Sequence, residues 1–556
     1  MYKAVTRLAG GLVLGGVLAL AGCGDQKPAA DELLSRVPAD TPYVFANLRP
    51  LPADVTAKLM AMYGPLIGLY RDMLARPQVG ITPEEAQALQ LADALLAELD
   101  GNMSPEGYAR LGLRTDARIL MYGEGLLPVL RMELADGQKV RDLITRVETR
   151  SGLQAPKALY GDTEYRRIDW GGMRLLLAVP DNELVLALVP AGDETALLPR
   201  LFGDERPATT LAQSGEFQGM LASHDFPGYG DGYVDLRRLV AESKQLSAGD
   251  PGLAAEADAC SDVVDGVLSN VPRLVMGVTE ASTERYSVRM VAETSPAVGQ
   301  VLAGLAYPVP GVGSSTDALF AMGLGVNVPR LRGALRDLLR GIAQNSGDCA
   351  LVDAAAIEQA MPKLDMALGP MTAMFKGLYL ELLDLKVDPA TRETRDVQFR
   401  ALAEVDDPRG VFAIAGMLNP ELAQLEVPED GTPMTVPAHL LPPEVPPLQV
   451  AIRERSLVLT AGGQGDTLAR GLLDAKPAAT PPLLSFSYNL QRMGELLKSG
   501  LDPLAMAAAA QNGESPEQNL ADLETMLKLY DPYRVIAINL TAGPKGLVLD
   551  ETVEFR

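Results

Sequence analysis

The chain has 556 residues, 47% hydrophobic and 22% charged, with a net charge of −23. That length allows several buried cores, and a surface so acidic, with no Lys/Arg block to interrupt it, excludes nucleic-acid binding. Aromatic residues are sparse, at 5% with the single tryptophan Trp170, which favours helices packed on sheets over an aromatic binding platform.

The first element is a leader. Lys3 and Arg7 form a positive start, and residues 8–22, "LAGGLVLGGVLALAG", form an apolar run. The run is shorter than the ~20 residues of a spanning helix, and two Gly-Gly pairs weaken it further, so it reads as a targeting segment. Leu20, Ala21, Gly22 and Cys23 follow in order, and this tetrad resembles the lipobox of bacterial lipoproteins processed by signal peptidase II. The resemblance implies cleavage before Cys23, acylation of its thiol and then of its freed amine, and hence a membrane held through a multi-chain anchor. Residues 1–22 are then a signal peptide and 23–30 a short tether. Gly24 follows the cysteine and Asp25 comes one place later. In Gram-negative lipoproteins Asp immediately after the lipidated cysteine is associated with inner-membrane retention, so the resemblance favours the outer membrane, facing the periplasm. The next stretch, "VPADTPYVFANL" at 37–48, is similar to the opening of proteobacterial envelope lipoproteins with no assigned activity. It implies an architecture and transfers no site.

Beyond it the chain repeats itself. Residues 175–193 align without gaps on 448–466 at an offset of 273, each reading as two strands about a polar turn, "PDNE" or "RERS", followed by a helix. Residues 127–144 have a counterpart in 397–414, a strand leading into a helix. A shorter motif occurs four times, "ANLRPL", "VDLRRL", "VNVPRL" and "YNLQRM". In each, a run of mostly apolar or small residues ends at Asn47, Asp235, Asn327 or Asn489, side chains suited to cap a helix. The expectation is an α+β fold made by tandem duplication of two homologous halves, 31–305 and 316–556. Each half carries antiparallel or mixed sheet meanders with helices packed on one face, and a Pro/Gly/Ser-rich linker at 306–315 joins them.

Chemistry is hard to find. The only histidines, His224 and His439, exclude multi-His metal sites, and there is no GxSxG elbow or phosphate-binding loop. The glycines of "GYGDGYVDL" at 228–236 precede a strand rather than join strand to helix. "DGNMSPEGYARLG" at 100–112 starts like a calcium loop but has Pro105 and Leu111 where Gly and Glu are needed, so Ser104 reads as a helix cap. Met366, Met371 and Met374 read as core filler. Cys260 and Cys349 lie in polar stretches, with neither a CxxC motif nor a nearby His, and an even count in an oxidising compartment predicts a disulfide between them. No catalytic residue, metal or cofactor is assigned. The expected function is non-enzymatic binding or scaffolding, with a protein partner or apolar ligand unidentified. The alternative is a carrier or chaperone for lipid or an acyl chain, grooved by the apolar, Met-bearing helical inserts expected at 59–74 and 366–380, each of which contains Gly-Pro.

Overall fold

The computed structural model describes residues 32–75, 80–153, 155–170, 172–192, 194–247, 249–314, 317–387, 394–417, 419–441, 445–498 and 527–556. The leader, Cys23 and the tether lie outside them. The chain divides into two compact units, residues up to Gly249 with Arg273–Val288, and Asp250–Pro272 with Arg289–Arg556. These units do not coincide with the halves 31–305 and 316–556. The helices Pro251–Ala259 and Ser261–Asn270 belong to the second unit, where Cys260 at their junction is bonded to Cys349 (Sγ–Sγ 2.06 Å).

The strands of the first unit are β1 (Tyr43–Asn47), β2 (Ile119–Glu124), β3 (Leu127–Glu133), β4 (Lys157–Tyr160), β5 (Thr163–Trp170), β6 (Met173–Ala178), β7 (Glu183–Pro190), β8 (Tyr229–Asp235) and β9 (Arg273–Ala281). They pair in the order β4-β5-β6-β7-β3-β2-β1-β8-β9. β10 (Arg285–Glu293) gives its residues up to Val288 to this unit and the rest to the second. The expectation of helices on one face is corrected here, because both faces of these strands are apolar and both need cover. On one face Met132 packs with Met60, Tyr108, Leu111 and Val140, all helical residues. On the other, the neighbouring Arg131 reaches the end of the helix Glu194–Phe202.

The second unit holds β11 (Phe320–Gly325), β12 (Phe375–Val387), β13 (Thr394–Val405), β14 (Met434–Thr435), β15 (Leu448–Arg453), β16 (Ser456–Ala461), β17 (Leu484–Asn489), β18 (Tyr533–Gly543) and β19 (Gly546–Phe555). Their order is β14-β15-β16-β13-β12-β11-β17-β18-β19. Every pairing named here is antiparallel, so the α+β class holds with antiparallel sheets. The core gathers Val309, Val312, Tyr379, Leu402, Ala451, Val458 and Leu472. Two of these belong to the stretch read as a linker, where Gly311 and Gly313 take φ of 84° and 80° so that the chain can turn in.

Local chemistry explains the element ends. The β6–β7 and β15–β16 hairpins turn at Asp181 and Glu454, 273 residues apart, and both adopt positive φ (48° and 54°) as primed hairpin turns require. Asp136 caps the helix after β3 by accepting from the N–H of Gln138 and Lys139, and Asp407 caps the helix after β13 by accepting from Arg409. Asp235, Asn327 and Asn489 accept from the N–H groups of Arg238 (3.0 Å), Arg330 (3.2 Å) and Arg492 (3.0 Å), as helix caps should. Asn47 ends β1, yet its helix starts only at Ala53. Pro50 and Pro52 intervene, and the residue before a proline is disfavoured in the α region. Residues 366–380, read as an apolar helix, instead break at Gly369 and continue as β12, because bulky Phe375, Leu378, Tyr379 and Leu380 suit a strand. Among the described residues no helix is long and apolar enough to cross a membrane.

Candidate functional site

In the first unit a recess of about 300 Å³ is lined by Glu32, Arg36, Arg118, Glu133, Asp181, Asn182, Glu183 and Phe202, among others. The hairpin turn supplies Asp181 to Glu183, and the start and end of the β2–β3 pair supply Arg118 and Glu133. Four of its charges are closed in two pairs. Arg36 Nη1 lies 3.1 Å from Glu183 Oε2, and Arg118 Nε donates to Glu133 Oε2 at 3.0 Å. Behind them Arg131 is fully buried, holding Glu183 at 3.2 Å and the carbonyl of Leu201 at 2.7 Å. A ligand entering here would have to compete with an ion pair already made. In the second unit Glu404, near the end of β13, is buried and accepts from the Ser456 hydroxyl, with desolvation pushing its pKa up.

The most perturbed carboxyl is Asp231 on β8, which sequence reasoning missed. It is fully buried at a bulge against β1. Oδ1 accepts from the Val278 N–H at 2.8 Å, and no hydrogen-bond partner reaches Oδ2 among the described residues. Desolvation raises its pKa to about 6, against the backbone N–H groups of Val278, Gly228 and Tyr229 that favour the anion. The only signal in the sequence is a charged residue between two glycines inside a strand. The second of those glycines matters sterically, since β1 backbone and Phe45 lie directly over Gly232, with no room for a Cβ.

In the second unit a groove of about 590 Å³ lies beside the β18–β19 turn. Arg289 grips Asp550 through Nε (2.7 Å) and Nη2 (3.3 Å), while Asn539 presents a buried Oδ1 with no hydrogen-bond partner among the described residues.

The opposite face of the same strands is different in kind. Strand register stacks three rows across β12, β11, β17, β18 and β19. They are Leu378, Leu324, Leu484, Leu540, Leu549; then Leu380, Met322, Phe486, Ile538, Glu551; then Leu382, Phe320, Tyr488, Ile536, Val553. None of the fifteen is buried, and Leu324, Leu378 and Tyr488 are 44%, 42% and 39% exposed. Glu551 is the one charge. Large apolar side chains in such a block are ordinarily covered.

The residues singled out from sequence are dispersed. Cys23 lies outside the described residues. His224 is buried and stacks on Phe226 at 5.5 Å, whereas His439 is exposed beside Glu421 at 3.3 Å. Ser104 caps the helix Pro105–Leu111 by accepting from Gly107 at 3.0 Å, and Asp100 accepts from Arg71 Nη1 at 3.0 Å. Met366 and Met371 are 79% and 65% exposed, which corrects their reading as core filler, because their helical segments stand outside the sheet core with no buried residue. Near the end of the helix Ala53–Leu74 lies a recess of about 530 Å³ lined by Leu74, Ala75 and Leu89 together with Arg71, Asp93, Asp100 and Arg150. Among the described residues no group of three or more His, Cys, Asp and Glu could hold a metal ion. No family model, curated protein or solved structure matches this chain.

Proposed function

We propose that the chain is a lipid-anchored, periplasm-facing protein of the bacterial envelope, of non-enzymatic binding or scaffolding type, built from two copies of one α+β unit. The anchor rests on the tetrad ending at Cys23, and Gly24 after it favours the outer membrane. Support for duplication is that β6-β7-β3-β2-β1-β8-β9 and β15-β16-β13-β12-β11-β17-β18 follow one another in the same spatial order. Matched positive-φ turns at Asp181 and Glu454 and matched caps at Asp136 and Asp407 add to it. The observation that carries the scaffolding side of this reading is the closure of charge in the recesses, where a small ligand would have to compete with ion pairs already made: Arg36, Arg71, Arg118 and Arg289 each hold a carboxylate.

A second reading, carriage of an apolar ligand, is favoured by the fifteen-position apolar face of the second unit. Growth with labelled palmitate, membrane fractionation and intact mass of wild type and Cys23→Ala test the anchor. Acylated protein beginning at Cys23 in the outer-membrane fraction, lost in the variant, is the expected result. An unmodified chain in the soluble fraction overturns the anchor and the location with it.

A further inference from the structure

We infer that the face built by β12, β11, β17, β18 and β19 docks the acyl chain of a single lipid molecule, an inference that rests on the apolar-ligand reading above. The row Leu378–Leu324–Leu484–Leu540–Leu549 runs perpendicular to the strands. With neighbouring strands ~4.8 Å apart it makes a leucine track roughly 19 Å long, the span of a long acyl chain. Met322, Phe486 and Ile538 flank it in the second row, and Phe320, Tyr488 and Ile536 form the third.

Complementarity in charge selects hydrocarbon over protein. The chain as a whole carries −23, yet the face holds one carboxylate, Glu551, and one phenol, Tyr488. A protein interface makes about one hydrogen bond per 100–200 Å², and this face offers two side chains able to supply any. An acyl chain needs none. The opposite faces of the same strands carry Glu381, Ser485, Ser487, Asn539, Asp550 and Thr552 beside the core residues Ala321 and Tyr379, so what sets the docking face apart is its near lack of polar side chains. Leu324 and Leu378 are direct partners across the β11–β12 pair and the most exposed of the aliphatic positions, which makes them the entry to the track.

The test is a titration of the purified full chain with the fluorescent fatty acid cis-parinaric acid. Saturable binding is expected, weakened about tenfold or more by Leu324→Asp and by Leu378→Asp, since each replaces a buried methylene contact with a charge. Leu351→Asp, at a site 78% exposed and off this face, should bind as wild type does, and melting followed by circular dichroism shows that each variant is folded. Wild type and all variants binding alike would overturn the assignment of this face while leaving apolar carriage standing. No saturable binding by wild type would overturn both. Sedimentation with phosphatidylcholine vesicles in the absence of probe binding would assign the face to a bilayer surface. Dimerisation abolished by Leu324→Asp without probe binding would assign it to a second copy, and either result overturns the inference.

Discussion

Replacing Asp231 by Asn removes a titratable proton from a site that disfavours charge. Burial raises the folded-state pKa from 3.8 to about 6, and about two pKa units correspond to roughly 3 kcal/mol at ~1.4 kcal/mol per unit. Because the folded pKa lies above the unfolded one, the native state holds the proton more tightly. The stabilising contribution of Asp231 is complete below about pH 4 and is lost as pH rises through about 6. Asn keeps the Oδ1 acceptor for the Val278 N–H and stays neutral throughout. Its amide replaces an Oδ2 that has no partner, which adds a cost independent of pH. The robust quantity is therefore the change in ΔΔG between wild type and variant from pH 4 to pH 7.5, expected to move by about 3 kcal/mol in favour of Asn. In melting terms that is roughly 6–10 °C for a unit of this size. Urea unfolding at a series of pH values measures it. A ΔΔG that is flat with pH, or that moves against Asn as pH rises, would show that the three backbone donors outweigh desolvation.

Arg131→Met should destabilise the first unit by about 2–3 kcal/mol, because the Leu201 carbonyl loses its buried donor and Glu183, which keeps Arg36, loses one of its two guanidinium partners. Adding Glu183→Gln should recover part of that loss in equilibrium unfolding, and a single-variant cost below about 1 kcal/mol would contradict the argument. Cys349→Ser opens a bridge across 89 residues and should lower the stability of the second unit by about 2–4 kcal/mol. Thiol reductant should lower wild type similarly and leave the variant unchanged.

Local chemistry made much of this protein legible. Asp235, Asn327 and Asn489 are caps because a side-chain oxygen one residue before a helix is enough, and the hairpins at 273-residue spacing follow from short-range turn preference. The cysteine pair was legible from its count and surroundings. Asn47 ends its strand without capping a helix because Pro50 and Pro52 delay the helix to Ala53. The apolar run at 366–380 was read as helix because an apolar stretch has no decisive period, and only pairing with β11 and β13 makes it a strand. Asp231 was invisible, since nothing local distinguishes a buried aspartate from a turn residue; the close approach of β1 and β9 buries it. By itself the sequence determined the caps and the hairpin turns, set by contacts within a few residues. Tertiary structure alone decided which face of each strand is covered, because that depends on which helices, distant in sequence, find room to pack against it.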